Sequence, residues 1–357
     1  SMMSVLFRYV LKEVLTYVAL VMALLMVLTG LYLFLTQMNE LGIGRYGVFE
    51  ALVVVACRLP QQAFTVLPIA ALMGALLALG NLARGGELVV MRVSGASVFR
   101  LASWVACAGT LLAVLTWCIG DYLAPPADQF ANRYKSVAQT NQLGGGADGL
   151  MWAKDGNMFM SVYRQQDFNN LNGLYVVRFD DQRQLHSVGR AVAARLDDRQ
   201  GWQLQNYDET RFESDRVVAT HAPVVALKTN LSAEFMSGAR AEPSSLAGHT
   251  LLKYARYLEA NHLKSDEYLT AFWIRVARTC SIVVIMMLAL PFSFGSMRST
   301  GMGTRIVIGI SVGAIFFLLA KLFVNARFAY ALDPLVIAWG PTMILTVVTT
   351  LALLRVR

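Results

Sequence analysis

Residues 83–100, ARGGELVVMRVSGASVFR, form a short basic stretch between two long apolar runs, and its reading sets the fold. If the flanking runs cross a membrane, Arg84, Arg92 and Arg100 fix the side the stretch faces, because short cytoplasmic loops collect Lys and Arg. Leu88, Val89, Met91 and Val93 among charged and small residues give one or two helical turns lying along the membrane surface, with Glu87 near the positive end. Gly85, Gly86 and Gly95 punctuate the piece. Spacing alone leaves an ordinary inter-helix loop equally open.

The rest of the chain supports the membrane. Its 357 residues are 56% hydrophobic and 15% charged, with a mean hydropathy of +0.50. Long uncharged runs lie near both ends, while charge crowds between residues 125 and 270. This is the pattern of two membrane bundles, residues 1–124 and 269–357, with a water-soluble domain, 125–268, inserted between them. The net charge of +8 sits largely in loops beside apolar spans, so it indicates membrane topology and not nucleic acid. Cys57, Cys107, Cys118 and Cys280 lie in or beside apolar runs without a paired motif and read as small buried hydrophobes. Arg8 and Lys12 precede an apolar run lacking a cleavage signal, an uncleaved first span; Ser1-Met2 ahead of Met3 reads as an addition.

In order, the first span covers about Val14 to Thr36, about 34 Å of helix. Val48–Cys57 is too short to cross and is expected in the interface, with Arg58 and Pro60 marking a boundary. The second span runs from Leu59 to Ala83 with a kink at Pro68, and the third from Leu101 to Leu123, ended by Asp121 and Pro125-Pro126. A polar helical lead-in, QFANRYKSVAQT, then passes through Gly144-Gly145-Gly146 into runs of strand character: NMFMSVY, GLYVVRF, QLHSVGRAVAARL, GWQLQNYDETRFE and RVVATHAPVVALK. Asp180-Asp181, Asp197-Asp198 and Ser214-Asp215 read as turns, giving hairpins of an antiparallel sandwich or jelly roll. Residues 246–262 read as an amphipathic helix returning to three further spans: Phe272–Pro291, Ile306–Val324 and Pro334–Leu354. Arg298 and Arg305 in the loop after the fourth span, and Arg355 and Arg357 at the end, put both termini in the cytoplasm and the inserted domain outside.

The chain carries no nucleotide-binding loop, H-E-x-x-H or G-x-S-x-G motif, so ATP hydrolysis is not expected of it. His186, His221, His249 and His262 lack metal-ligand spacing. Carboxylates are missing from the middle of the spans, which disfavours a proton-coupled carrier. Lys321, near the outer end of the fifth span, either snorkels or lines a path for an anion, and Arg275 and Arg278 at the mouth of the fourth invite the same two readings. With Arg58, Arg133 and Lys135 they would gather cations at the outer face, for phosphate or carboxylate head groups or as a solvated rim. Gly309 and Gly313 form a small-xxx-small pair that admits a close helix neighbour.

ELVVMRVSG, WAKDGNMF at 152–159 and PFSFGSMRSTGMGTRIVIGISVG at 291–313 together resemble the LptF/LptG lipopolysaccharide-export permease family, across the whole chain, with WAKDGNMF nearer its LptG branch. The resemblance implies a six-span bacterial inner-membrane subunit with a periplasmic jelly-roll-like domain. In that family an LptF–LptG pair sits on two copies of an LptB-type ATPase, which binds the ATP and Mg2+, and lipopolysaccharide passes to LptC and LptA. By the same resemblance residues 84–98 are the coupling helix, with Glu87, Arg84, Met91 and Arg92 against the ATPase. Lys135, Arg133 and Arg275 match positions that would meet lipid phosphates there; Arg58 is a candidate to compensate for missing first-span lysines, and Lys321 is a candidate from its own position in the fifth span. The first and fifth spans would form gates toward the partner, with Gly309 and Gly313 in the gate packing. Where some relatives carry lysines in and after the first span, this chain has Leu33, Asn39 and Glu40. A mechanical transmitter, coupling ATP hydrolysis to a periplasmic partner without moving lipid, would share the coupling helix and the insert but need no cationic rim.

Overall fold

The computed structural model describes residues 2–140, 150–163, 170–197, 201–229, 231, 242–295 and 299–356. Gly144-Gly145-Gly146, Asp198, Arg298 and Arg357 lie outside the described residues. The first half of the chain forms α1 (Met2–Gln37), α2 (Val48–Arg84), α3 (Glu87–Val93), α4 (Val98–Cys118), a π-helical segment (Ile119–Leu123) and α5 (Ala124–Thr140). Six strands follow: β1 (Leu150–Asp155), β2 (Met158–Tyr163), β3 (Asn170–Phe179), β4 (Leu185–Asp197), β5 (Gly201–Phe212) and β6 (Val217–Leu227). Four helices close the chain, α6 (Gly248–Ala260), α7 (Asp266–Phe294), α8 (Met302–Tyr330) and α9 (Pro334–Arg355). Among the described residues six helical stretches are long and apolar enough to cross a membrane, three before the sheet and three after it, as expected.

Two span boundaries differ from the expectation. Val48–Cys57 is not a separate interfacial piece: α2 is one helix of 37 residues, about 55 Å long, with Pro60 and Pro68 inside it. That exceeds the hydrocarbon thickness of about 30 Å, and in its first turns Ala51 and Val54 pack with Tyr46 and with Ala131 of α5. Nor do Asp121 and Pro125-Pro126 end the third span. The prolines are absorbed by the π segment, whose wider turn is closed by Ala124 N–H donating to the Ile119 carbonyl, and the helix runs on as α5.

Within the bundle α2 and α7 are central. In the most apolar window of α2, 78% of residues are buried, against 11% in α1 and in α8. Val14, Val18, Leu72, Leu76, Leu79, Leu101, Ile282 and Met286 share one core. The cysteines depart from the buried reading: Cys107, Cys118 and Cys280 are exposed, on helix faces turned away from that core.

The described strands form one antiparallel sheet in sequential order, β1 to β6, a meander in which each strand pairs with the next. Inward residues alternate along it: Leu171, Leu174 and Val176 face Ala191, Leu204 and Tyr207 in a core around Trp202, whose indole N–H donates to the Leu231 carbonyl at 2.8 Å. Asp180 Oδ1 accepts from the amides of Gln182 and Gln184 to build the β3–β4 turn, and Glu213 N–H bonds the Arg216 carbonyl in the β5–β6 turn. β1 was not anticipated as a strand, because its alternation is only six residues long and carries Lys154 and Asp155.

Candidate functional site: a short helix and a cationic rim

The short helix α3 joins the ends of α2 and α4 that lie opposite the sheet. Gly86 (φ +77°) and Gly95 (φ +97°) turn the chain in and out of it, a left-handed backbone that favours glycine. Gly95 N–H donates to the Arg92 carbonyl and Ala96 N–H to the Met91 carbonyl, both at 3.0 Å, which satisfies the last carbonyls of α3. Ser97 then caps α4, its hydroxyl accepting from Arg100 N–H at 3.2 Å. Leu88 and Met91 are buried in the bundle core. Val90 (64% exposed) and Val93 (85% exposed) point the other way, with Arg84 and Arg92 exposed beside them. Arg92 lies 5.3 Å over the ring of Phe294, and Glu87 is half-buried at the start of α3. Met91 is therefore an anchor holding α3 to the bundle, and the face that α3 turns outward is made by Val90 and Val93, which the sequence reading left out of the site.

Toward the sheet end of the bundle the expected cations divide. Lys135 is paired with Glu40 at 2.7 Å and sits 5.8 Å over Tyr46, and Gln139 donates to the same carboxylate. Arg58 donates to Asn132 Oδ1 at 3.0 Å, which ties α2 to α5. Arg133 and Lys321 are exposed, with Lys321 Nζ 5.6 Å over the Phe317 ring.

Arg275 is different. It is 4% exposed, its guanidinium 4.5 Å over Phe64, and its Nη2 donates to the Gly120 carbonyl. In the π register the Gly120 carbonyl would meet Pro125, which has no N–H to give, so Arg275 supplies the donor that the proline removed. Arg278 donates to the Thr65 carbonyl at 3.1 Å, one residue past the Phe64 carbonyl that Pro68 leaves without its helical donor. Arg275 staples the proline-disturbed backbone of the π segment from a buried position within the chain. Gly309 and Gly313 likewise face α2 of their own chain: a Cβ on Gly309 would lie 3.1 Å from Leu76 and Met73, and one on Gly313 3.8 Å from Ile69.

The family model described as lipopolysaccharide export system permease LptF/LptG matches residues 8–355. The chain belongs to that family. Lipopolysaccharide export system permease protein LptG of Escherichia coli K12 is 31% identical over 354 residues, covering 99% of this chain and 98% of the relative. The protein of the same name from Haemophilus influenzae is 30% identical over 361 residues, covering all of both. In this LptF/LptG permease, the exposed face of α3 and the exposed cations Arg133 and Lys321 are open to other molecules, whereas Lys135, Arg58, Arg275 and Arg278 already hold partners within the fold.

Proposed function

We propose that this chain is an inner-membrane permease subunit of an ABC exporter that takes lipopolysaccharide from the membrane and passes it to a periplasmic bridge. The relatives' names support lipopolysaccharide export, and the single structural observation that supports an ATPase partner is α3: a helix pinned by Leu88 and Met91 that presents Val90, Val93, Arg84 and Arg92 outward. On this reading two copies of an LptB-type ATPase hydrolyse ATP with Mg2+ beneath this chain and an LptF-type companion. Movement of α3 tilts α2 and α4, and α1 and α8, the least buried spans, meet the companion as gates. The sheet serves as the jelly-roll-like module leading to LptC and LptA. Arg133 and Lys321 are the first cations that lipid phosphates reach, and Lys135 joins them when Glu40 releases it.

Val93→Asp tests the carrying observation. The side chain is exposed, so chain yield and stability should stay within about 0.5 kcal/mol of the parent. A carboxylate forced into an apolar docking groove should cut ATPase co-purification about tenfold or more. Undiminished ATPase recovery in pull-downs would overturn docking through α3. With the intact complex in vesicles, stimulation of ATP hydrolysis by added lipopolysaccharide is expected; indifference to it favours the mechanical transmitter.

A further inference from the structure

The π segment and the sheet are joined by α6 through contacts at both of its ends. At the N-terminal end, Ala247 occupies the capping position and has no side-chain oxygen to offer. Asp121 of the π segment supplies it from another part of the chain: one carboxylate oxygen accepts from Gly248 N–H and the other lies 3.0 Å from His249 Nδ1. Asp121 is 6% exposed, and the positive end of the α6 dipole is where a buried carboxylate is best placed. Gly248 is what lets it in, because a Cβ there would already stand 3.1 Å from the carboxylate and 3.0 Å from Trp117.

At the C-terminal end, α6 closes over the edge of β1. The Tyr257 hydroxyl accepts from Lys154 N–H at 2.9 Å and donates to the Lys154 carbonyl. Asn261 Oδ1 accepts from Gly156 N–H at 2.6 Å, and the Asn261 carbonyl from Lys154 Nζ at 2.9 Å. The Lys154 N–H and carbonyl on the edge of β1, and the Gly156 N–H in the turn after it, are thereby taken up by Tyr257 of α6 and by Asn261 at its end. This accounts for the W-A-K-D-G-N-M-F stretch at 152–159: its lysine, and the glycine that turns the β1–β2 hairpin at φ +62°, are the points α6 grips. Along its flank α6 is tied to α7 by stacking of Tyr254 on Tyr268 at 5.4 Å and by Ser265 donating to Glu259 at 3.0 Å.

We infer that α6 is a connecting rod, fixed to the third span at Asp121 and to the β1–β2 hairpin at Tyr257 and Asn261, that transmits movement of the spans to the edge of the sheet. Its 13 residues carry a displacement across about 20 Å. A helix bonded at both ends and packed along one side moves as a unit, and the π segment, where the helical ladder is widest, is where the third span can change register. The inference rests on the export reading for the source of that movement.

Hydrogen exchange of the whole permease–ATPase complex tests it, comparing nucleotide-free and ATP-bound states over residues 151–162. The expected result is a nucleotide-dependent change in exchange in the parent, about fivefold, the shift in opening equilibrium that one net hydrogen bond produces. Asp121→Ala and Asn261→Ala should each abolish the change, and Asp121→Asn, which keeps an acceptor for Gly248 N–H, should retain it. A nucleotide-dependent change that persists in both alanine variants, or that is missing in the parent, overturns the rod. If Asp121→Ala fails to assemble, Asn261→Ala, at the end remote from the membrane, decides alone. Failure of the export reading shows separately, as a parent complex that hydrolyses ATP without moving lipopolysaccharide while the exchange comparison still reports on α6.

Discussion

Arg275→Ala is expected to destabilise the bundle by about 3–5 kcal/mol, the usual cost of breaking a buried charged contact from one side. The loss has identifiable parts. The Gly120 carbonyl is left without its donor inside the π segment, Phe64 loses the cation above its ring, and the attraction between the guanidinium and Asp121 disappears. Arg275→Lys should recover only a fraction, because a single ammonium cannot reach the carbonyl and cover the ring as a planar guanidinium does. Arg133→Ala, an exposed cation, should leave stability within about 0.5 kcal/mol and reduce only lipid capture. Denaturant titration in mixed micelles, followed by tryptophan fluorescence, measures the first effect, and photo-crosslinking to lipopolysaccharide the second. If Arg275→Ala unfolds like the parent but loses crosslinking, the guanidinium is a substrate contact after all and the staple assignment is wrong.

The two arginines also show which features the sequence made legible. Six spans were readable because the length of an apolar run is set by lipid thickness, a constraint each segment satisfies by itself. The short helix α3 was readable from its glycines and its cations. Its orientation was not, since Leu88, Val89, Met91 and Val93 are all apolar and only packing shows that the buried pair is Leu88 and Met91. Arg58 and Pro60 imitate a span boundary in α2, and Pro125-Pro126 imitate one after α4. In both places the helix continues because neighbouring elements take up what the local signal breaks. The partners of Glu40, Gly120 and Asp121 lie 95, 155 and 127 residues along the chain, and no spacing rule reaches that far. Lys135 could be read as a cation; that it is already paired could not.

Gly74→Ala should have the second large effect, about 3 kcal/mol, at the upper end of what overpacking costs. A Cβ at this position would stand 2.5 Å from Val18 Cα and 2.6 Å from Val18 N. Those are backbone atoms of α1, so relief requires the helix itself to shift. Gly309→Ala is the control: its neighbours at 3.1 Å are side-chain atoms of Leu76 and Met73, which can turn aside, and the cost should stay below about 1 kcal/mol. The same micelle titration ranks the pair, and equal losses would refute the backbone-contact argument. The position matters for the gate assigned to the first span. Val10, Val14 and Val18 seat the first half of α1 in the core, whereas Leu24, Val27, Leu31 and Leu35 in its second half are exposed. A helix pinned at one end and open at the other can swing only about the pinned end, and Gly74 is the point of closest approach there. Gly74→Ala at permissive temperature should therefore disturb lipid entry at the open end more than ATP hydrolysis beneath the pinned one, because the displaced backbone moves furthest where α1 has fewest partners.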